Sequence, residues 1–309
     1  MKKFFIFILL VFSFQLSYAD KLKVISSFSI LGNWLKEIGG NKIEVVNLVD
    51  LNHDSHHYET TAQDQIALKE ADIIFIHGLH FESGSILNAV KAYSEKLIIV
   101  SNIFTSQDLI PLIQYHFSDE DVHEISDKEV KLFDPHTWHD IRLAKKSIRL
   151  IQSQLIKKNP SNWKYFSRRA NEYLKKLDEL QQWSDSKFKQ VDIENSVLIT
   201  VHAGFKYLAN YYHLDYLSLE SEHEHEHGEI SAKKVSETIN SINKKNVKYI
   251  FSEKNSDVRI AQLVSKRTGT GIVGDLYSDF LSDKNEEVPN YLELMRHNID
   301  KITLHLKRK

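Results

Sequence analysis

Histidine is the residue type that most clearly suggests chemistry in this chain. The sequence contains 16 histidines and no cysteine. Ten of the histidines fall in tight groups, at positions 53/56/57, 77/80, 136/139 and 223/225/227. Without cysteine there can be no disulfide, thiolate zinc site, iron–sulfur cluster or cysteine nucleophile. A bound metal would therefore be held by His, Asp, Glu or backbone oxygen.

The segment 134–139, with the sequence Asp-Pro-His-Thr-Trp-His, presents one histidine in a constrained setting. Pro135 restricts the backbone just before His136. Trp138 is large enough to cover one side of whatever that imidazole contacts. We expect His136 to be a metal ligand, and we expect His139 to be an ordinary residue at the start of the following helix.

Three further candidate ligands follow predicted strands. His202 comes directly after a predicted strand at 197–201, Asp275 after one that ends at Gly274, and His56 in the loop after a third. In open α/β sheets, ligands bind in the crevice beyond the carboxyl ends of the strands. We therefore predict one metal site built from His56, His136, His202 and Asp275. Taken singly, a surface histidine need bind nothing, and Asp275 could instead cap a helix.

The predicted ligand set is rich in nitrogen. Three imidazoles and one carboxylate suit Zn²⁺ best, tolerate Mn²⁺ or Fe²⁺, and are poor for Ca²⁺ or Mg²⁺, which prefer oxygen. Asp54 and Asp134 each lie two residues before a candidate histidine. We expect these two carboxylates to orient the imidazoles by hydrogen bonding.

The N-terminal residues are typical of a secretory signal peptide. Lys2 and Lys3 precede a short apolar run from Phe4 to Phe12, and small residues follow up to Ala19. The pattern predicts cleavage after about Ala19. The alternative, a membrane anchor, is disfavoured because the run is too short to cross a hydrocarbon layer of roughly 30 Å. We expect a periplasmic protein that does not span the membrane when mature and that lacks the cysteine a bacterial lipid anchor requires.

The rest of the chain predicts two similar α/β lobes with mostly parallel sheets. Its 309 residues are enough for two domains, and the net charge of −2 argues against nucleic-acid binding. Short β-branched runs alternate with segments of helical spacing. The predicted organisation is a signal peptide at 1–19, an N-terminal lobe at 20–158, a linker helix at 159–190 and a C-terminal lobe at 191–309. The linker helix, with Ser161 as its N-cap, should be long and rigid, and the metal site should lie in the cleft between the lobes.

Two further stretches are rich in acidic residues and histidine. Residues 116–129 form an acidic run that contains His116 and His123, and we expect an exposed loop there. Histidine alternates with glutamate at His223, His225 and His227. This second stretch is either a low-affinity auxiliary metal site or a solvated loop of biased composition.

Several motifs resemble the periplasmic solute-binding proteins of zinc and manganese ABC importers, the cluster A-I family. Asp54–Glu59 resembles D-P-H-x-Y-E, and Asp134–Trp138 resembles D-P-H-x-W. The segments Ala71–Glu82, His202–Tyr207 and Gly274–Tyr277 resemble further elements of the family. The resemblance covers nearly the whole mature chain. It differs around the first motif, where the family usually has prolines.

The resemblance implies a high-affinity zinc-binding protein that delivers Zn²⁺ to an ABC-type importer. Its partners would be the membrane permease of that importer and, through the permease, its ATPase. Histidine at position 202 is typical of the family's zinc members, whereas manganese members usually have glutamate there. A manganese- or iron-binding protein of the same class is the first alternative. A secreted zinc metallohydrolase with Glu59 as its base is less favoured, because the sequence has no H-E-x-x-H motif. We therefore expect no enzymatic activity.

Overall fold

The computed structural model describes residues 21–51, 53, 56–112, 132–220, 232–254 and 256–307. Four predicted features lie outside the described residues. They are the signal peptide, Asp54, the acidic run at 116–129 and the three histidines His223, His225 and His227.

The described residues form two four-stranded sheets, and all of the strands are parallel. In the N-terminal lobe the order is β2-β1-β3-β4, with β1 at Leu22–Ser26, β2 at Ile43–Asn47, β3 at Ile73–Ile76 and β4 at Leu97–Ile99. In the C-terminal lobe the order is β6-β5-β7-β8, with β5 at Val197–Thr200, β6 at Asp215–Ser218, β7 at Tyr249–Glu253 and β8 at Gly271–Leu276. The two lobes repeat one topology, and the predicted fold class is confirmed.

Helices cover both faces of each sheet. In chain order they are α1 Ser29–Gly39, α2 Ala62–Glu70, α3 Gly84–Lys91, α4 Ile141–Lys158, α5 Trp163–Phe188, α6 Lys206–Tyr211, α7 Ala232–Lys245, α8 Arg259–Thr268 and α9 Tyr291–His305. Sequence periodicity did not predict α3 or α9. Ser161 is not the N-cap of the long helix, because it lies in a 3₁₀ turn at Pro160–Asn162, and α5 begins after Asn162.

Alternate residues of the strands contribute to different cores, because side chains along a strand point to opposite faces. In β3, Ile73 and Phe75 join a core shared by both lobes, whereas Ile74 and Ile76 join a core confined to the N-terminal lobe. In β5, Leu198 joins the shared core, and its neighbours Val197 and Ile199 join a core of the C-terminal lobe.

The shared core is the layer that connects the two lobes. It includes buried residues of α1, α4, α5 and α9 together with inward-facing strand residues of both sheets. The 26-residue helix α5 is about 39 Å long at 1.5 Å per residue, so it spans the molecule. It packs against α1, α4 and α9 along a buried stripe that includes Phe166, Ala170 and Leu177.

Hydrogen bonds from α1 add direct links between the lobes. The Ser29 hydroxyl accepts from the backbone N–H of Leu281 at 2.9 Å, and the Asn33 side chain accepts from the N–H of Tyr291 at 3.1 Å. The Tyr291 hydroxyl then donates to the carbonyl of Trp138 at 2.6 Å. Ser29 and Asn33 belong to the N-terminal lobe. The two backbone N–H groups that they accept belong to the segment of the C-terminal lobe that leads into α9.

Replacing Leu177 with Ala should destabilise both lobes together, because Leu177 is fully buried in the shared core. The expected loss in the free energy of unfolding is about 2 to 5 kcal/mol, measured by urea denaturation. Lys176→Ala on the exposed face of the same helix is the control, and it should change stability by no more than about 0.5 kcal/mol. Equal losses in the two variants would contradict the shared core.

Candidate metal centre

Three of the four predicted ligands lie together in the structure. Ligand atoms of His56, His136, His202 and Asp279 all lie within 4.8 Å of one another. Among the described residues this is the group of His, Asp and Glu side chains that could hold a metal ion. His136 and Asp279 are buried, and His56 and His202 are partly buried. The group combines two residues from each lobe.

The structure does not bring Asp275 to this group, and Asp279 takes its place. The predicted end of β8 at Gly274 was wrong, because the strand continues to Leu276. Its pairing with β7 shifts between Phe251 and Glu253, which inserts one extra residue into β8. Asp275 occupies this irregular stretch with a φ of 62°. Its carboxylate is about half exposed and lies 3.8 Å from the Lys301 ammonium.

The spacing of the donor atoms resembles the edges of a small coordination polyhedron. The Nε2 atoms of His136 and His202 are 3.1 Å apart. Each of these nitrogens lies 3.4 Å from a carboxylate oxygen of Asp279. Donors bound tetrahedrally to zinc at 2.0–2.1 Å would be separated by about 3.3 Å. The separation of the two imidazole nitrogens, and of each from its nearer oxygen of Asp279, is therefore already close to the size that one small ion requires.

Hydrogen bonds orient the His136 ring. Its Nδ1 lies 3.0 Å from the Asp134 carboxylate, which also accepts the backbone N–H of His136 at 2.9 Å. Because the carboxylate accepts from Nδ1–H, the lone pair of Nε2 points to the other ligands. The Asp134 carbonyl accepts from the Tyr207 hydroxyl of the other lobe at 2.8 Å. Asp134 thus lies where an orienting carboxylate was predicted.

Two glutamates orient His202, and the sequence did not single them out. The backbone N–H of His202 donates to the Glu253 carboxylate at 3.0 Å, and its Nδ1 lies 3.3 Å from the Glu220 carboxylate. Burial raises the pKa of Glu253 to about 8. Both glutamates come at or just beyond the carboxyl end of a strand, β7 and β6 respectively. Their position at strand ends was the signal in the sequence that could have identified them as residues of the site.

An aromatic wall lies behind the ligands. The Phe81 ring contacts His56 edge-on, with the ring centroids 4.9 Å apart, and it lies 4.8 Å from the ring of Trp138. Trp138 in turn packs edge-on against His136 at 5.3 Å. The Glu82 carboxylate holds the turn that presents Phe81, because it accepts the backbone N–H groups of His77 and Gly78.

Gly204 allows the closest backbone approach to the ligands. A β-carbon at this position would lie 3.2 Å from the His202 ring, 3.5 Å from the His136 ring and 3.0 Å from the Ser278 side chain. A larger residue would therefore press against His202 and against Ser278, which precedes Asp279.

The lobes meet directly beside the site at the carbonyl oxygen of Ser278. This oxygen accepts from the indole N–H of Trp138 at 2.7 Å and from Nε2 of His139 at 3.0 Å. The interpretation of His139 as an ordinary helix start was therefore wrong. It is 1% exposed and packs against the Phe205 ring of the opposite lobe.

The chain matches one protein family over nearly its whole length. The family described as "Zinc-uptake complex component A periplasmic" matches residues 24–304. The chain belongs to this family.

Curated relatives and solved structures agree with that assignment. The chain is 27% identical to a manganese ABC transporter substrate-binding lipoprotein of Streptococcus mitis, over 92% of this chain and 88% of the relative. It is 25% identical to a manganese-binding lipoprotein of Halalkalibacterium halodurans, over 91% of this chain and 87% of the relative. A manganese-bound periplasmic metal binding protein from Candidatus Liberibacter asiaticus superposes with a TM-score of 0.77 at 28% identity, covering 93% of this chain and all of that one.

Acid should destabilise the metal-free protein through two buried neutral histidines. Burial lowers the pKa of His77 and of His139 to about 3. The same rings bind a proton below about 6.5 in the unfolded chain. At these two sites the unfolded state therefore binds more protons between these values, so the contribution of the two histidines to stability should be fully present above pH 6.5 and should fall as the pH drops toward 3.

His139→Gln, which keeps an N–H donor for Ser278, should reduce this dependence on pH. The measurement is the urea midpoint at pH 7 and at pH 5, with a chelator present. His80→Gln removes an exposed histidine, and it should leave the dependence as in the parent protein. An identical pH response in all three proteins would contradict the assignment.

Proposed function

We propose that this protein captures a divalent transition-metal ion, Zn²⁺ in the first instance, and delivers it to an ABC-type importer. The observation that carries the proposal is the spacing of His136, His202 and Asp279, at 3.1, 3.4 and 3.4 Å. His56 supplies the fourth ligand. A set of four protein ligands leaves no position for a catalytic water, which suits binding and transport rather than hydrolysis.

The composition of the ligand set supports zinc. Three imidazole nitrogens and one carboxylate match the preference of Zn²⁺ for mixed nitrogen and oxygen ligands. Both oxygens of Asp279 face the histidines, so a bidentate carboxylate is compatible with the site. That arrangement would suit Mn²⁺, which accepts more oxygen ligands, and the relatives named above are described as manganese proteins. Manganese is therefore the alternative ion.

The partners proposed for the loaded protein are a membrane permease and, through it, an ATPase. The relative from Streptococcus mitis is named as the substrate-binding component of an ABC transporter. In the described part of the chain, no helix is both long and apolar enough to cross a bilayer. We propose export to the periplasm with cleavage after about Ala19, which leaves membrane passage of the ion to the permease.

A secreted metallohydrolase receives less support. Its proposed base, Glu59, is exposed and lines a surface depression together with Asn88 and Ala92. It is absent from the ligand group found among the described residues. We therefore retain the binding function as the conclusion.

Competition between ions tests the choice of metal. The protein purified without added metal should take up one ion per chain, and Zn²⁺ should displace Mn²⁺ at equal concentrations. Elemental analysis after dialysis against equimolar mixtures gives the occupancy of each ion. Predominant manganese under these conditions would reverse the proposed preference, and no stoichiometric uptake of either ion would refute the function.

Two aspartates four residues apart provide a matched test of the ligands. Asp279→Asn should weaken zinc affinity by about 100-fold or more, since outer partners alone contribute 10- to 100-fold. Asp275→Asn, with the same change in charge, should leave affinity nearly unchanged. The measurement is competition with a chromogenic zinc chelator. The opposite order of losses would restore Asp275 as the ligand and would sink the proposed site.

A further inference from the structure

A basic and aromatic patch covers the end of the N-terminal lobe where α4 leads into α5. Residues 157–169 contain five cationic residues and no carboxylate, in a chain with a net charge of −2. The five are Lys157, Lys158, Lys164, Arg168 and Arg169. One of the five, Arg168, pairs with Glu172 just beyond this stretch at 2.8 Å. We call this stretch, with Lys42 beside it, the N-lobe basic patch.

The patch lies at the opposite edge of the sheet from the candidate metal centre. Lys42 immediately precedes Ile43, the first residue of β2, and Ile43 lies level with Leu22 at the start of β1. These residues lie at the amino ends of the strands, whereas the candidate ligands lie beyond the carboxyl ends of the strands. At about 3.3 Å per residue, a five-residue strand separates the two edges by about 16 Å. A partner at the patch would therefore leave the metal centre accessible.

Tyr165 fixes the inner part of the patch. Its hydroxyl accepts the backbone N–H of Asn41 at 3.2 Å. The charged groups of Lys42, Arg168 and Arg169 lie 5.9, 5.6 and 5.8 Å from the centre of its ring. Arg169 also donates to the carbonyl of Glu37 at 2.7 Å. The loop before β2 and the start of α5 therefore form one ordered surface.

The outer part of the patch is formed by lysines that make no ion pair with a described residue. Lys157, Lys158 and Lys164 are exposed. Among the residues that the structure describes, no carboxylate lies within 4.0 Å of these three ammonium groups. Their charge is therefore available to an anionic partner.

Trp163 adds an exposed indole between these lysines. It is the first residue of α5 and is 52% exposed. The ammonium of Lys164 lies 5.5 Å from its ring centre. Indole rings flanked by lysine are favoured at the boundary between lipid headgroups and hydrocarbon, because the ring is apolar and its N–H is polar.

We propose that the N-lobe basic patch binds an anionic phospholipid surface. Lysine clusters attract acidic headgroups, and the indole adds affinity by entering the interface. An acidic protein would neutralise the charge of the lysines, but it would not offer the exposed indole the boundary between headgroups and hydrocarbon that indole rings favour. The patch would hold the exported protein close to the membrane and would leave the metal centre free for exchange.

Vesicle sedimentation tests the proposal with the full exported chain. The protein should associate with vesicles of equal parts phosphatidylglycerol and phosphatidylcholine, and hardly with phosphatidylcholine alone. The variant K157Q/K158Q/K164Q should lose association by on the order of 100-fold, from about fivefold for each lysine. The control K176Q/K189Q/K284Q removes the same charge from exposed lysines elsewhere, and it should bind like the parent. All variants carry the same N-terminus, so any apolar segment there contributes equally.

Fluorescence reports directly on the indole. Brominated phosphatidylglycerol should quench part of the tryptophan emission, and Trp163→Phe should remove most of that quenching. Trp34 and Trp138 are buried, and the partly buried Trp183 lies 20 residues further along α5, about 30 Å away at 1.5 Å per residue. Unchanged zinc uptake in each variant serves as the check of folding. Equal vesicle binding by the two lysine variants would overturn the proposal. Binding to polyglutamate without binding to vesicles would assign the patch to an acidic protein and would overturn it as well.

Discussion

The carbonyl oxygen of Ser278 is the point on which the geometry of the metal centre depends. It accepts hydrogen bonds from Trp138 and His139 of the opposite lobe. Trp138 lies two positions after His136, and Ser278 lies one position before Asp279. Separating the lobes here would cost free energy, because it would leave the buried carbonyl of Ser278 and the two N–H donors without hydrogen-bond partners. The backbones that present His136 and Asp279 are therefore fixed to each other before any ion arrives.

The elements around this contact reinforce it. Tyr291, at the start of α9, donates to the carbonyl of Trp138, and its own N–H bonds Asn33 of α1. The helices α1, α5 and α9 then bury the shared core that continues into both sheets. The long helix is consequently one part of a broad connection between the lobes. A single linker, as the sequence suggested, would allow much more freedom.

Sequence patterns were sufficient for most of the fold because local rules govern it. Buried parallel strands are continuous apolar runs, and helices with one buried face repeat every three to four residues. The same rules led to His202, which follows a strand whose end is clear and which lies in the group of candidate ligands. They failed at Asp275 because a one-residue irregularity in the pairing of β8 with β7 leaves no mark in composition. Applied to the observed end of the strand at Leu276, the same rule about carboxyl ends leads to Asp279.

Other parts of the site depend on long-range packing and could not be predicted locally. His139 is important because the chain returns 139 residues later to offer the carbonyl of Ser278. Glu220 and Glu253 orient His202 only because β6 and β7 flank β5 in the sheet order. The sequence contains these residues, but it does not show which residues lie next to them in the folded protein.

The four candidate ligands come from segments that differ in their place relative to the lobe boundary. His136, His202 and Asp279 belong to segments tied together by hydrogen bonds near the lobe boundary, whereas His56 comes from the loop between β2 and α2. For an ion held by all four, release would begin with the withdrawal of this one imidazole. The lifetime of the loaded protein would then reflect the local free energy of one loop rather than the stability of the whole fold.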